Sequence, residues 1–157
     1  MIRLHLVFVG KTAFPEVEQA VRRYLERLRR YVSVQVHVIK AEKIGEPGRD
    51  DWVRGREGER MLRLVGPQDT VVVLDRLGEQ WDSEKLAAYL DELNRRGTCN
   101  VWLAVGGPVG HSRQVLERAD LILALSRMTF PHDLTRLILV EQLYRAHTIL
   151  RGEPYHR

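Results

Sequence analysis

The last three residues of the 157-residue chain combine three side chains that can do chemistry together. Tyr155, His156 and Arg157 place a phenol, an imidazole and a guanidinium in consecutive positions, directly after Pro154. Histidine exchanges a proton near neutral pH, and arginine binds phosphate through a planar fork of donors. The run therefore suggests proton transfer beside an anionic substrate. On composition alone, an unstructured terminus is the commoner explanation for such a segment.

A glycine-rich run, Gly106–Gly110, is the second candidate. It follows an apolar segment and precedes Ser112, a residue type that caps helices. Glycines allow a ligand to approach the backbone closely, and exposed amides bind polar groups. The run lacks the G-x-G-x-x-G pattern, and no lysine follows it as in a phosphate loop, so dinucleotide and nucleoside-triphosphate binding are disfavoured. A tight turn without a ligand explains the glycines equally well.

Basic residues are concentrated in two predicted helices: Arg22, Arg23, Arg27, Arg29 and Arg30 in one, and Arg54, Arg56, Arg60 and Arg63 in the other. A solvated helix face is the usual explanation, and an RNA-phosphate footprint is the alternative. The tryptophans Trp52, Trp81 and Trp102 show no nucleic-acid motif, and we expect them in the core or in pocket walls.

Composition excludes several classes of protein. Hydrophobic residues make up 44% and charged residues 29% of the chain, and 25 Lys+Arg against 21 Asp+Glu give a mild net charge of +4. Cys99 is the only cysteine, so an internal disulfide is excluded, and no Cys/His cluster has zinc-site spacing. No apolar run approaches the roughly 18 residues of a membrane span, and Met1–Gly10 is not typical of a signal peptide. We expect a cytoplasmic domain without metal or membrane partners.

Strand-like and helix-like segments alternate along the chain. Apolar alternation or short apolar runs predict strands at Ile2–Val9, Ser33–Ile39, Thr70–Leu74, Val101–Val105 and Leu121–Leu125. Helical periodicity predicts helices at Asp50–Val65, Ser83–Arg96 and Asp133–Leu150, and a short one from Ser112. It also predicts a first helix that opens at Phe14-Pro15 and repeats apolar residues as far as Leu28. This alternation predicts one α/β domain over residues 1–157, with a parallel sheet covered on both faces.

Three loops follow the buried strands of this predicted sheet. They are Asp75–Trp81, Gly106–Ser112 and Ser126–His132. Open parallel sheets bind ligands beyond the carboxyl ends of their strands. We therefore expect these loops to form the binding site.

The predicted last helix is apolar on two faces. One carries Leu134, Leu137, Ile138 and Tyr144, and the other carries Leu139, Val140, Leu143 and Leu150. A helix that is apolar nearly all round is buried on more than one side. Either a second chain covers it or it is threaded deep within its own fold. A homodimer is the favoured interpretation.

Five segments together resemble a known family. They are Val71–Asp75, Val105–Gly110, Leu125–His132, Glu141–Ala146 and Pro154–Arg157. In order and spacing they are similar to the RlmH-type ribosomal RNA large subunit methyltransferases of the SPOUT superfamily, over the whole chain.

The resemblance implies a parallel-sheet SPOUT fold with a C-terminal trefoil knot, and a homodimer. It implies S-adenosyl-L-methionine as methyl donor and N3 of a pseudouridine in large-subunit rRNA, on assembled ribosomes, as acceptor. Knots are almost absent from proteins, so periodicity alone does not predict one. A threaded last helix at a dimer interface accounts for the apolar surface of Asp133–Leu150.

The resemblance also implies site residues. The cofactor residues are Leu74, Gly106, Leu125, Ser126, Arg127, Met128, Thr129 and Phe130. His156 is the candidate base for the proton of the acceptor nitrogen, with Tyr155 and Arg157 positioning or stabilising the nucleotide. Solvent is the alternative proton acceptor.

Two arginines of the predicted last helix have two possible roles. We expect Arg136 and Arg145 either to contact RNA or the tail, or to pair with Glu141 or a neighbouring chain. The alternative functions are an RNA-binding module without catalysis and a nucleotide-binding protein of flavodoxin or dehydrogenase type.

Overall fold

The computed structural model describes residues 1–157 and alternates five strands with five helices. The strands are β1 Arg3–Val9, β2 Ser33–Ile39, β3 Thr70–Gln80, β4 Asn100–Val105 and β5 Leu121–Ala124. The helices are α1 Pro15–Leu28, α2 Asp50–Leu62, α3 Ser83–Arg95, α4 Arg113–Arg118 and α5 His132–Leu150. All strand pairs are parallel, in the order β2-β1-β4-β3-β5, so the predicted α/β fold is confirmed. No helix has both the length and the apolar character needed to cross a membrane.

Local sequence explains where several helices begin and end. Pro15 occupies the first turn of α1, where its missing N–H costs no helical hydrogen bond. The Asp82 carboxylate accepts from the Lys85 backbone N–H at 2.7 Å and caps α3. Ser112 Oγ accepts from the Val115 N–H at 3.3 Å and caps α4, as the sequence predicted. Gly97, with φ of 78°, ends the α3 region in the left-handed conformation that favours glycine.

The helices form two layers around the sheet. α1, α3 and α5 cover one face over the larger apolar core, which includes Leu6, Leu25, Leu90 and Leu143. α2 and α4 cover the other face over a smaller core, to which Met61 and Val115 contribute. The sheet is therefore covered on both faces, as expected.

α5 lies between α1 and α3, and this position explains most of its apolar surface. Leu139, Val140 and Leu143 are fully buried within their own chain. A charge at any of these three positions would therefore perturb the fold itself and would not test a dimer interface. On the outward side, Leu134 is 42% exposed and Ile138 is half-buried, which leaves apolar surface for a partner.

The predicted loop Asp75–Trp81 is largely strand. β3 continues to Gln80, and its pairing with β5 shifts register between Leu74 and Glu79. A Cβ at Gly78 would lie 2.5 Å from the Ile122 carbonyl oxygen, so only glycine fits where the two backbones meet. The irregularity interrupts the apolar pattern, which is why the sequence predicted an earlier strand end.

Candidate active site

A cavity of about 780 Å³ lies at the carboxyl ends of β3, β4 and β5. All three predicted loops contribute to its lining, so the cavity lies where the sequence predicted a binding site. Its size is within the range of small-molecule sites, and such sites combine apolar walls with a few polar groups. The apolar walls come from Leu74, Val105, Leu123, Leu125, Met128 and Phe130.

Most of the predicted cofactor residues come together around this cavity. The lining includes Leu74, Gly106, Leu125, Ser126, Met128, Thr129 and Phe130. Arg127 belongs to the same loop, but it is exposed and is not among the lining residues. The loop between β5 and α5 therefore supplies much of the cavity wall, and Arg127 is the one predicted cofactor residue outside the lining.

The glycine loop brings bare backbone to the cavity. A Cβ at Gly106 would lie 3.1 Å from His111 Nε2 and 3.3 Å from the Gly110 backbone, so there is little room for a side chain. Gly110 has φ of 81° and donates its N–H to the Gly107 carbonyl at 3.0 Å. The glycines therefore serve both a tight turn and a close approach to the cavity.

His111 is a cavity residue that sequence reasoning missed. Its Nε2 lies 3.1 Å from the Leu74 carbonyl oxygen, and a carbonyl only accepts, so Nε2 carries the proton. Burial lowers the pKa of His111, which keeps the ring neutral near neutral pH. The imidazole thus joins the end of β3 to the glycine loop after β4. No periodic signal marks such a residue in the sequence.

Arg54 forms part of the cavity rim from α2. Its Nη1 donates to the Val109 carbonyl at 3.0 Å, and the guanidinium also pairs with Asp51. The sequence placed Arg54 in a basic run without a specific role. In the structure it fixes the glycine loop to α2.

The C-terminal tail docks on α5. Tyr155 donates its hydroxyl proton to Glu141 Oε1 at 3.1 Å, and its ring packs edge-on against Tyr144 at 4.7 Å between centroids. The Arg145 guanidinium lies 4.8 Å from the Tyr155 ring centroid. Burial, reinforced by hydrogen bonds to other side chains, raises the pKa of Tyr155. The phenol therefore acts as a hydrogen-bond donor and not as a base.

His156 is held between two charged side chains. Its Nδ1 lies 3.2 Å from Arg145 Nη1, and its Nε2 lies 2.8 Å from Glu84 Oε1. A guanidinium only donates, so Nδ1 accepts from Arg145 and Nε2 donates to Glu84. The hydrogen bond from His156 lowers the pKa of Glu84. Arg157 is exposed and bonds only the Pro154 carbonyl, through Nε at 3.2 Å.

The tail and the cavity lie apart within one chain. The cavity meets α5 at Thr135, whereas the tail contacts Glu141 and Arg145. Ten residues of helix separate Thr135 from Arg145, which corresponds to roughly 15 Å along the axis. None of Tyr155, His156 and Arg157 lines the cavity. The structure therefore does not bring the two predicted groups of site residues together within a single subunit.

Comparison with known proteins identifies the family. The family model described as "Predicted SPOUT methyltransferase" matches residues 2–156. The chain belongs to the SPOUT methyltransferase family. A protein of Syntrophobacter fumaroxidans named "Ribosomal RNA large subunit methyltransferase H" is 52% identical over 157 residues, covering 99% of this chain and 100% of the relative. Relatives with the same name from Symbiobacterium thermophilum and Trichlorobacter lovleyi are 44% and 41% identical, each over 99% of this chain and 100% and 99% of their own lengths.

Membership of the SPOUT family decides between the functions that the sequence left open. The structure has a parallel α/β fold, and the family consists of methyltransferases, so a flavodoxin or dehydrogenase type of protein is excluded. The absence of a G-x-G-x-x-G run agrees with this result. A non-catalytic RNA-binding module is likewise disfavoured, because the chain matches the enzyme family over nearly its full length.

Arg136 of this SPOUT chain has a structural position and is not available to RNA. It is 1% exposed, its Nη2 donates to the Val9 carbonyl at 2.6 Å, and its Nη1 donates to Thr12 Oγ1 at 3.1 Å. Burial lowers the pKa of its guanidinium. The prediction that Arg136 contacts RNA, the tail or Glu141 is therefore wrong. The sequence predicted an accessible side chain because arginines are rarely fully buried in proteins.

Arg145 makes two of the contacts that the sequence suggested for it, with Glu141 and with the tail. Its Nη2 pairs with Glu141 Oε1 at 2.6 Å, and its Nη1 bonds His156 at 3.2 Å. The pair with Glu141 raises the pKa of Arg145, so the guanidinium stays charged. Arg145 therefore holds the tail of the SPOUT chain against α5.

Proposed function

We propose that this SPOUT methyltransferase transfers a methyl group from S-adenosyl-L-methionine to N3 of a pseudouridine in large-subunit rRNA, on assembled ribosomes. The observation that carries the proposal is the cavity formed by the three loops, in a chain whose relatives are named large-subunit rRNA methyltransferases. The identity of the acceptor atom follows from the family resemblance of the tail and loop motifs.

The cavity suits S-adenosyl-L-methionine. Leu74, Leu125 and Phe130 supply apolar walls for a purine ring, and the backbone of the loop from Leu125 to Phe130 supplies polar groups for its edge. Gly106 presents backbone without a side chain to the cavity, and His111 and Gly110 leave little room for one. When bound, S-adenosyl-L-methionine supplies an electrophilic methyl group. The protein contributes orientation, which accounts for much of the rate in such displacements.

The tail suits the acceptor nucleotide. N3 of a pseudouridine carries a proton that must leave as the methyl group arrives, and His156 is the residue that accepts it. For this, the hydrogen bond that Arg145 donates to His156 Nδ1 must break, so that the Nδ1 lone pair can accept the proton. Tyr155 remains protonated and donates a hydrogen bond, and the exposed guanidinium of Arg157 is free to contact phosphate.

A homodimer with the tail of one subunit at the cavity of the other completes the site. The separation of tail and cavity within one chain supports this arrangement. Apolar side chains also surround the cavity and the start of α5: Phe14 is 60%, Leu77 80%, Met128 75% and Leu134 42% exposed. A two-fold dimer that buries this side of the molecule forms two identical composite sites. The trefoil knot implied by the resemblance is part of this proposal.

A direct assay tests the proposed function. The protein is incubated with methyl-labelled S-adenosyl-L-methionine and, separately, with 70S ribosomes, large subunits and protein-free rRNA. Digestion and mass spectrometry then identify the labelled nucleoside. We expect 3-methylpseudouridine, with the highest yield on assembled ribosomes. Label in another nucleoside, or no label in any of the three substrates, would contradict the proposal.

Filling the cavity should abolish cofactor binding. Leu125 is half-buried on the cavity wall, at the edge of the larger core, so Leu125→Trp adds bulk to the cavity. We expect calorimetry to show binding of S-adenosyl-L-methionine by the wild type and a loss of at least about tenfold, or 1.4 kcal/mol, in the variant. Leu64→Trp, at a position 38% exposed and outside the cavity, is the matched control. Comparable binding of NAD or ATP by the wild type would count against the assignment.

A further inference from the structure

An exposed tryptophan on α2 has no role in the cavity, the tail or either core. Trp52 is 47% exposed, although the sequence predicted a core or pocket-wall position for it. α2 turns other residues inward, among them Val53 and Met61. Tryptophan and arginine are enriched among the residues that contribute most to binding at interfaces.

Two arginines flank this indole: Arg49, directly before the first residue of α2, and Arg56 within the helix. The Arg49 guanidinium lies 4.3 Å from the Trp52 ring centroid, and that of Arg56 lies 6.0 Å from it. Arg49 pairs with no carboxylate, whereas Arg56 pairs with Glu59 at 3.3 Å. Spacings of three and four residues place Arg49, Trp52 and Arg56 on the same side of the helix. We call these three residues the α2 platform.

The α2 platform lies close to the cavity but away from the proposed dimer interface. Arg54, in the first turns of the same helix, lines the cavity and bonds the glycine loop at Val109. The platform is therefore within about one helix diameter, roughly 10 Å, of the cavity rim. α2 covers the sheet face opposite α5, so a dimer formed on α5 leaves the platform free.

We propose that the α2 platform binds an unpaired rRNA base next to the methylated nucleotide. This inference rests on the proposed function. Enzymes that modify a base take it out of its stack, which leaves neighbouring bases without a stacking partner. Aromatic side chains stack such bases, and arginines contact the phosphates beside them. Trp52 provides the stacking surface, and Arg49 and Arg56 provide the cationic contacts.

The test compares Trp52→Ala, Trp52→Phe and Trp52→Leu in methylation of 70S ribosomes. Loss of one base stack should raise the KM for ribosomes by roughly 5- to 100-fold in Trp52→Ala. We expect kcat and the calorimetric affinity for S-adenosyl-L-methionine to stay at wild-type values, because the platform does not line the cavity. The KM of Trp52→Phe should stay close to the wild-type value, because phenylalanine keeps an aromatic ring for stacking. The KM of Trp52→Leu should be raised as in Trp52→Ala. Leu64→Ala is the exposed apolar control.

Two results would overturn the inference. One is a KM for Trp52→Ala within twofold of the wild type. The other is rescue by leucine equal to that by phenylalanine, which would indicate a protein partner on the ribosome instead of a base. Co-sedimentation of the same variants with ribosomes measures binding without methyl transfer. If the wild type binds ribosomes through Trp52 but transfers no methyl group, the proposed function is refuted and the binding role of the α2 platform stands.

Discussion

Deleting Tyr155–Arg157 should abolish methyl transfer while leaving cofactor binding intact. The three residues dock on α5 and do not line the cavity, so calorimetric affinity for S-adenosyl-L-methionine should change by less than about threefold. Single-turnover methylation of ribosomes at saturating cofactor should fall by at least roughly 10³-fold, because both proton transfer and nucleotide positioning are lost. The truncated chain keeps the hydrogen bond from the Tyr31 hydroxyl to Glu153, at 2.6 Å, which holds the end of α5 in place.

Single substitutions separate the roles within the tail. His156→Ala should lose roughly 10²–10⁴-fold in rate if the imidazole is the general base. A loss below about tenfold would assign His156 to positioning and the proton to solvent. Arg151→Ala, which alters a neighbouring arginine that stacks on Tyr31 at 5.4 Å, is the control for changes at this end of α5. Wild-type rates in the truncated chain would remove the tail from the active site altogether.

Placing a charge on the outward side of α5 should produce a folded but inactive monomer. Ile138 is half-buried beside the exposed Leu134, whereas Leu139 is fully buried in the core of its own chain. Ile138→Asp therefore places a charge in the proposed interface and spares the core. In the proposed dimer each site needs a tail from the partner, so we expect methyl transfer to fall by at least roughly 10²-fold, with the cavity still binding cofactor.

Sedimentation velocity and circular dichroism measure this outcome. The wild type and the control Leu64→Asp, altered at a surface leucine distant from α5, should sediment as dimers, and Ile138→Asp as a monomer with an unchanged helical signal. A monomer that methylates ribosomes at the wild-type rate would show that one chain suffices and would contradict the proposed composite site.

The architecture was largely predictable because the signals for it are local. The apolar runs at β4 and β5 and the cap at Ser112 each depend on residues close in sequence, and the structure places strands and a helix there. The end of β3 was not predictable, since its pairing with β5 depends on how closely two backbones approach at Gly78. That approach is a property of the assembled sheet.

The site was predictable in its parts but not in its arrangement. Family motifs indicated the cavity residues, and the loops after the buried strands indicated its location. The burial of Arg136 and the exposure of Trp52 depend on tertiary packing, which overrode what residue type and helical position suggested. The distance between the tail and the cavity is set by the length of α5 and the path of the chain after it. Only the three-dimensional structure shows that the tail and the cavity lie apart within one chain, which is the basis for the proposed two-subunit site.

Methyl transfer by a mixed dimer tests the composite site most directly. A chain carrying Leu125→Trp, with a blocked cavity and an intact tail, is co-produced with a chain ending at Pro154, and two different affinity tags isolate the heterodimer. Each parent homodimer should be inactive. The heterodimer should show about half of the wild-type rate on ribosomes, because one of its two sites combines an intact cavity with an intact tail from the partner. A heterodimer as inactive as its parents would contradict the account.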